Sequence, residues 1–187
     1  MIVNLRGTHG AGKTTVIKMV LASGSCRLYG MALGPWMPEA YRLEIPHVEK
    51  PVFVIGPYDT DGCDGCDRIQ PFDLIPPLIE KYSERGHVVF EGALISTCWG
   101  AVGEVLARRA GSVVLFLDTQ VETCVERVRA RRLERGDDRE FDPTQLAAKH
   151  TRIASLRTKV EARGVRALTV SSENAVEIII EVLRHGR

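Results

Sequence analysis

The chain has 187 residues, 44% of them apolar, 6% aromatic and 26% charged, with a formal net charge of +1. These values fit one globular domain with a real core and exclude a strongly basic body that would attract nucleic acid by its net field. No apolar run approaches the roughly 18 residues that a membrane span requires.

The five cysteines are an odd number, and Arg6 follows only five residues of an apolar start. The expectation is a cytoplasmic protein with reduced thiols and no secretory signal. Residues 1–100 carry a balance of −2 and residues 101–187 a balance of +3, the difference arising mainly from one arginine cluster.

Met1-Ile2-Val3-Asn4-Leu5 is short, apolar and partly β-branched, and reads as a strand. Gly7-Thr8-His9-Gly10-Ala11-Gly12-Lys13-Thr14 follows and matches G-x-x-x-x-G-K-[ST], the phosphate-binding P-loop. The next segment, Thr15 to about Ala22, is expected to be helical. This strand–loop–helix setting is the context that confirms the motif. Its glycines let successive N–H groups face one anion, and the helix N-terminus adds partial positive charge. Residues 7–15 are therefore expected to hold the phosphates of ATP, with Lys13 on the β- and γ-phosphates and the Thr14 hydroxyl on Mg²⁺.

Cys26 to Met31 reads as a second strand, and residues 26–56 as a hairpin-like excursion ending in the apolar strand Val52-Phe53-Val54-Ile55. A glycine- and aspartate-rich loop comes next, from Gly56 to Asp67. Asp59 and Asp61 are candidates to hold a substrate hydroxyl or a metal-bound water, the alternative being turn-forming aspartates. Tyr58 is a candidate stacking surface for a base, and so are Trp36 and Trp99; Asp67 belongs to a loop that can close over a substrate ring. Cys63 and Cys66 invite a zinc reading, but no second half-site at usable spacing is evident.

A helix is expected from about Phe72 to Glu84, its first turns distorted by Pro76 and Pro77. His87-Val88-Val89-Phe90-Glu91 reads as a buried strand ending in a carboxylate that can bind Mg²⁺ through water or take a proton from an attacking hydroxyl. Ser96 and Thr97 are further candidate phosphate donors. A helix over 100–109, a strand over 112–118, a helix over 121–132 with Thr119 as N-cap, a long helix capped by Thr144, a strand over 167–171 and a helix over 175–184 complete the chain.

This alternation predicts an α/β fold: a five-stranded, mainly parallel sheet with helices on both faces. Ligands bind such sheets at the carboxyl ends of strands, so the P-loop, Asp59, Asp61, Glu91 and Asp118 should share one rim. Arg127, Arg129, Arg131, Arg132, Arg135 and Arg139 lie within thirteen residues. Arginines neutralise charge during phosphoryl transfer, and a segment of about 127–143 that carries them is expected to act as a lid over a single domain spanning 1–187. The neighbouring acidic residues also fit a solvated helix face, so only some of the six are expected to function. Arg131 and Arg135, which share a face with Arg127, are the first choices.

A P-loop near the N-terminus, a strand-end carboxylate and an arginine-rich lid resemble the nucleotide-kinase branch of P-loop proteins. Neither the N-K-x-D of GTPases nor the Walker-B Asp-Glu pair of larger ATPases is evident. Val3 to Thr8, Gly56-Pro57-Tyr58 with Gly62 to Asp67, and Phe90 to Ser96 further resemble small bacteriophage P-loop kinases, some of which phosphorylate hydroxymethyluracil in phage DNA during thymine hypermodification. The resemblance spans most of the chain. It departs from familiar loops at His9-Gly10-Ala11, which should not disturb phosphate binding by the backbone.

The resemblance implies an ATP- and Mg²⁺-dependent phosphotransferase in the host cytoplasm. Lys13 and Thr14 would hold ATP·Mg, and Glu91 or an aspartate from 59–67 would activate the hydroxymethyl oxygen of a modified pyrimidine in DNA. The alternatives are a thymidylate-type kinase acting on free deoxynucleoside monophosphates and, from another class, a non-catalytic ATP-binding regulator. No membrane or obligatory protein partner is expected.

Overall fold

The structure, a computed structural model, describes residues 1–31, 38–58 and 64–186. Asp59, Asp61, Gly62, Cys63 and Trp36 lie outside the described residues.

A mixed sheet organises the chain. Its strands are β1 (Ile2–Arg6), β2 (Ser25–Met31), β3 (Pro38–Glu44), β4 (Val52–Ile55), β5 (His87–Glu91), β6 (Val113–Leu117) and β7 (Arg166–Val170), in the spatial order β2-β3-β4-β5-β1-β6-β7. The β4-β5-β1-β6-β7 half is parallel, whereas β2, β3 and β4 pair antiparallel. The sheet expected to have five strands has seven, because β2, read as part of an excursion, joins it and β3 is added. β3 was hidden because Pro-Glu-Ala-Tyr-Arg-Leu-Glu mixes charge with apolar residues. Only its pairing between two other strands buries most of it.

The parallel strands are apolar on both faces because helices cover both. On one side Val3, Leu5, Val89 and Leu115 pack with Val16, Ile17 and Val20 of α1 (Lys13–Leu21) and with Ile179, Val182 and Leu183 of α7 (Ala175–His185). On the other, Ile2, Val88, Phe90, Val114 and Phe116 pack with Ile79 of α2 (Ile75–Ser83), Val102 and Leu106 of α4 (Gly100–Arg108) and Ile153 of α6 (Pro143–Ala162). Successive strand residues point to opposite faces, so a continuous apolar run fills two cores at once.

The helix ends correct three expectations. Phe72–Leu74 forms a 3₁₀ turn, and the α-helix starts at Ile75. Pro76 and Pro77 thus occupy the first turn, where a missing N–H costs little. The last long helix is capped by Asp142, not Thr144: the Asp142 carboxylate accepts from the Thr144 N–H at 2.8 Å. Thr119 does not cap α5 (Val121–Glu134) either; its hydroxyl donates to the Ala11 carbonyl at 2.9 Å, which ties the start of α5 to the P-loop. A short helix, α3 (Ala93–Ser96), follows β5 directly.

Among the described residues, no helix is long and apolar enough to cross a membrane.

Candidate active site

The P-loop connects β1 to α1 at the carboxyl end of a central strand. Gly10 and Gly12 have φ of 80° and 97°, a region that favours glycine. A side chain at Gly10 would also come within 2.5 Å of the Cys124 carbonyl oxygen on α5. The loop is held from three further directions. Ser96 Oγ accepts from the Gly7 N–H at 3.3 Å, Thr119 donates to Ala11, and Arg127 Nη1 donates to the Gly10 carbonyl at 3.2 Å.

Arg6 precedes the loop at the end of β1. It is fully buried, donates through Nε to Asn4 Oδ1 at 2.7 Å and through Nη1 to the Cys98 carbonyl at 2.9 Å, and lies over the Trp99 ring. Burial lowers its pKa to about 10.

The Lys13 ammonium donates to the carbonyls of Gly7 at 2.9 Å and Thr8 at 3.1 Å. It thus bridges the loop that phosphates would enter. Phosphate oxygens offer it charge-assisted bonds roughly twice as strong as neutral ones.

Across from the loop, the Thr14 hydroxyl donates to Glu91 Oε1 at 3.0 Å. Glu91 is only 2% exposed. Burial pushes its carboxyl up to about 7; Lys13 and the Thr14 hydrogen bond oppose that shift, while Asp67 and Asp64 add to it. A carboxylate poised near neutrality is suited to taking a proton. Thr14 and Glu91, two oxygen donors beside the phosphate loop, also match the hard-ligand chemistry of Mg²⁺.

The cleft they share has a volume of about 790 Å³. His9 and Thr15 of the P-loop segment, together with Asp67, Arg131 and Arg135, line it, as do Lys18, Met19, Asp64, Ser172 and Glu173. Arg127, Arg131 and Arg135, spaced one helical turn apart, all reach it. By contrast, Arg132 donates to the carbonyls of Arg139 and Glu140, and Arg139 pairs with Asp137 at 2.7 Å. Those two arginines brace the turn after α5.

Several sequence candidates occupy other places. Asp67 accepts from the N–H groups of Ala93 at 2.7 Å and Leu94 at 3.2 Å, so its carboxylate fastens the 65–68 turn to α3 while still bordering the cleft. Tyr58 is 3% exposed and packs edge-on against Tyr41. It does not line the cleft; its hydroxyl has no partner among the described residues. Trp99 is buried and donates to Glu104 at 3.0 Å, which turns it away from stacking on a base. Ser96 and Thr97 spend their hydroxyls on the carbonyls of Gly92 and Leu94. Asp118 is exposed, and its N–H bonds to the Val170 carbonyl. Cys66 is buried within one of the apolar cores, which raises its pKa well above the ordinary thiol value.

Sequence reasoning passed over Lys18, Met19, Asp64, Ser172 and Glu173. Two signals were present. Lys18 stands one helical turn beyond Thr14, on the same face, and Ser172 follows the carboxyl end of β7 as the rim rule requires.

The sequence profile of the 5-hmdU DNA kinases matches residues 2–178. The chain belongs to the 5-hmdU DNA kinase family. It is 27% identical over 190 residues to the 5-hmdU DNA kinase of Pseudomonas phage M6, covering 98% of this chain and 97% of that protein. It is 28% identical over 199 residues to that of Pseudomonas phage PaMx11, covering 97% and 96%. Among solved structures, a deoxyadenosine kinase from M. mycoides, with dCMP and dCDP bound, aligns over 98% of both chains at a TM-score of 0.51 and 12% identity. That last likeness is one of fold, and it places this chain in the P-loop kinase architecture.

Proposed function

We propose that this protein transfers the γ-phosphoryl group of ATP to the hydroxymethyl oxygen of hydroxymethyluracil in DNA. The observation that carries this reading is the hydrogen bond between Thr14, at the P-loop helix start, and the buried Glu91. It sets a phosphate cradle and a carboxylate of raised pKa on one floor, in a chain of the 5-hmdU DNA kinase family.

In this reading the P-loop N–H groups and Lys13 hold the β- and γ-phosphates. Glu91 accepts the proton of the attacking hydroxymethyl group as its oxygen bonds to the γ-phosphorus. The bond from that phosphorus to the β,γ-bridging oxygen breaks, and ADP leaves. Arg131 and Arg135 face the same space and offset charge on the transferring group. Thr14, with Glu91 beside it, would hold Mg²⁺, which supplies charge neutralisation on the phosphates. An acceptor in phage DNA puts the reaction in the host cytoplasm.

The test is transfer from γ-labelled ATP with Mg²⁺ to three acceptors: hydroxymethyluracil DNA, thymine DNA and free deoxynucleoside monophosphates. Label on the modified DNA alone is expected. Label on monomers alone would replace this reading with a nucleotide kinase, and ATP binding without transfer to any acceptor would replace it with a regulator.

A further inference from the structure

Glu91 and Lys13 are 2% and 7% exposed, so the reacting floor is recessed. α1, the 65–68 turn, α3 and the arginine face of α5 surround it. A base stacked in a duplex keeps its C5 substituent inside a major groove about 8.5 Å deep. For a one-carbon arm to touch a carboxylate this buried, those four walls would have to enter the groove together.

The wall formed by the P-loop helix has the chemistry of a base subsite. Met19 is a large apolar side chain, 52% exposed, that borders the cleft. Its thioether can lie against the flat face of a pyrimidine. Lys18 stands next to it, and its ammonium is fixed by Asp64 at 2.9 Å. The Asp64 side chain is only 2% exposed while that of Lys18 is 47% exposed, so the carboxylate acts as a buried anchor for an exposed ammonium on the cleft lining. Beside C5, uracil carries an acceptor, O4, whereas cytosine carries a donor, the N4 amino group. An ammonium donates to the first neighbour and finds no acceptor in the second.

We propose that the acceptor base leaves the helical stack and lodges against Met19 and Lys18, with Asp64 positioning the lysine, so that the hydroxymethyl oxygen reaches Glu91. This rests on the kinase reading above and adds the form in which DNA is engaged. Lys18 meets the O4 edge and favours hydroxymethyluracil over hydroxymethylcytosine.

The experiment measures kcat/KM on oligonucleotides that each carry one hydroxymethyluracil: single-stranded, in a duplex opposite adenine, and in a duplex opposite an abasic site. The single strand and the abasic-opposed duplex are expected to exceed the matched duplex by about ten- to hundredfold, the cost of unpairing and unstacking one base. Met19→Ala is expected to raise KM for the single strand several-fold while the Kd for ATP stays unchanged. Lys18→Met should narrow the preference for hydroxymethyluracil over hydroxymethylcytosine. Equal rates on matched duplex and single strand would overturn extrusion of the base. An unchanged KM in Met19→Ala, with an unchanged base preference in Lys18→Met, would overturn the subsite. Absence of label on all three oligonucleotides would instead overturn the kinase reading itself.

Discussion

Thr14 Oγ1 donates to Glu91 Oε1 at 3.0 Å, a bond between residues 77 positions apart in the chain. It exists because β1 and β5 are parallel neighbours, with Leu5 opposite Glu91, so that the end of β5 comes beside the P-loop helix. The strand-end carboxylate and the start of the P-loop helix meet there.

Glu91→Gln removes the carboxylate to which we assign proton acceptance and keeps the shape. Turnover is expected to fall by about 10²–10⁴-fold, while the Kd for ATP measured by titration changes little. An undiminished rate would take Glu91 out of the chemistry.

Lys13→Ala deletes the ammonium that bridges the Gly7 and Thr8 carbonyls. Transfer should be lost. Thermal stabilisation by ATP should be lost with it; in the unaltered protein that gain is about 2.7 kcal/mol at a ligand concentration of 100 Kd. Thermal shift with and without ATP checks both.

Gly65→Ala should disturb the site from the side. Gly65 has φ of 70°, and a Cβ there would stand 2.8 Å from the Tyr58 hydroxyl and 2.9 Å from Glu91 Oε1. Strain of this kind costs about 1–3 kcal/mol, and each kcal/mol lowers Tm by roughly 2–4 °C in a chain of this size. Calorimetry should show the drop, and kcat should fall because Glu91 is displaced.

The raised pKa of Glu91 predicts the pH dependence of the nucleotide-free, metal-free protein. Its value is about 7 in the folded chain, against an ordinary 4.5. Between these values the folded state binds more protons than the unfolded state, so stability falls as pH rises. The contribution is fully present below about pH 4.5 and is gone above about pH 7. Tm measured across that window should decline in the native protein, and Glu91→Gln should remove this part of the slope.

Arg131 and Arg135 face the cleft, whereas Arg139 is paired with Asp137 in the turn beyond α5. Joint replacement of Arg131 and Arg135 by alanine should lower kcat by about 10³-fold, the scale of arginine stabilisation in phosphoryl transfer. Arg139→Ala should leave kcat intact. Single-turnover rates would distinguish these outcomes.

The P-loop, the apolar parallel strands and the strand-end position of Glu91 were legible in the chain because each rests on local chemistry. Glycine spacing sets a loop, a β-branched run sets a strand, and the strand's last residue lies on the rim whatever the neighbours do. The phase of Arg127, Arg131 and Arg135 was legible for the same reason, since helical period needs no tertiary information. Tertiary structure alone decided what depends on which segments meet. β3 became a strand by pairing between β2 and β4. Thr119 went to the P-loop because α5 starts beside it. Tyr58 and Trp99 were drawn into the interior, where the gain from burying an aromatic ring exceeds anything local sequence records. Asp64 found Lys18 from a segment 46 residues away in the chain, a juxtaposition of charges that no spacing rule in a single chain can announce.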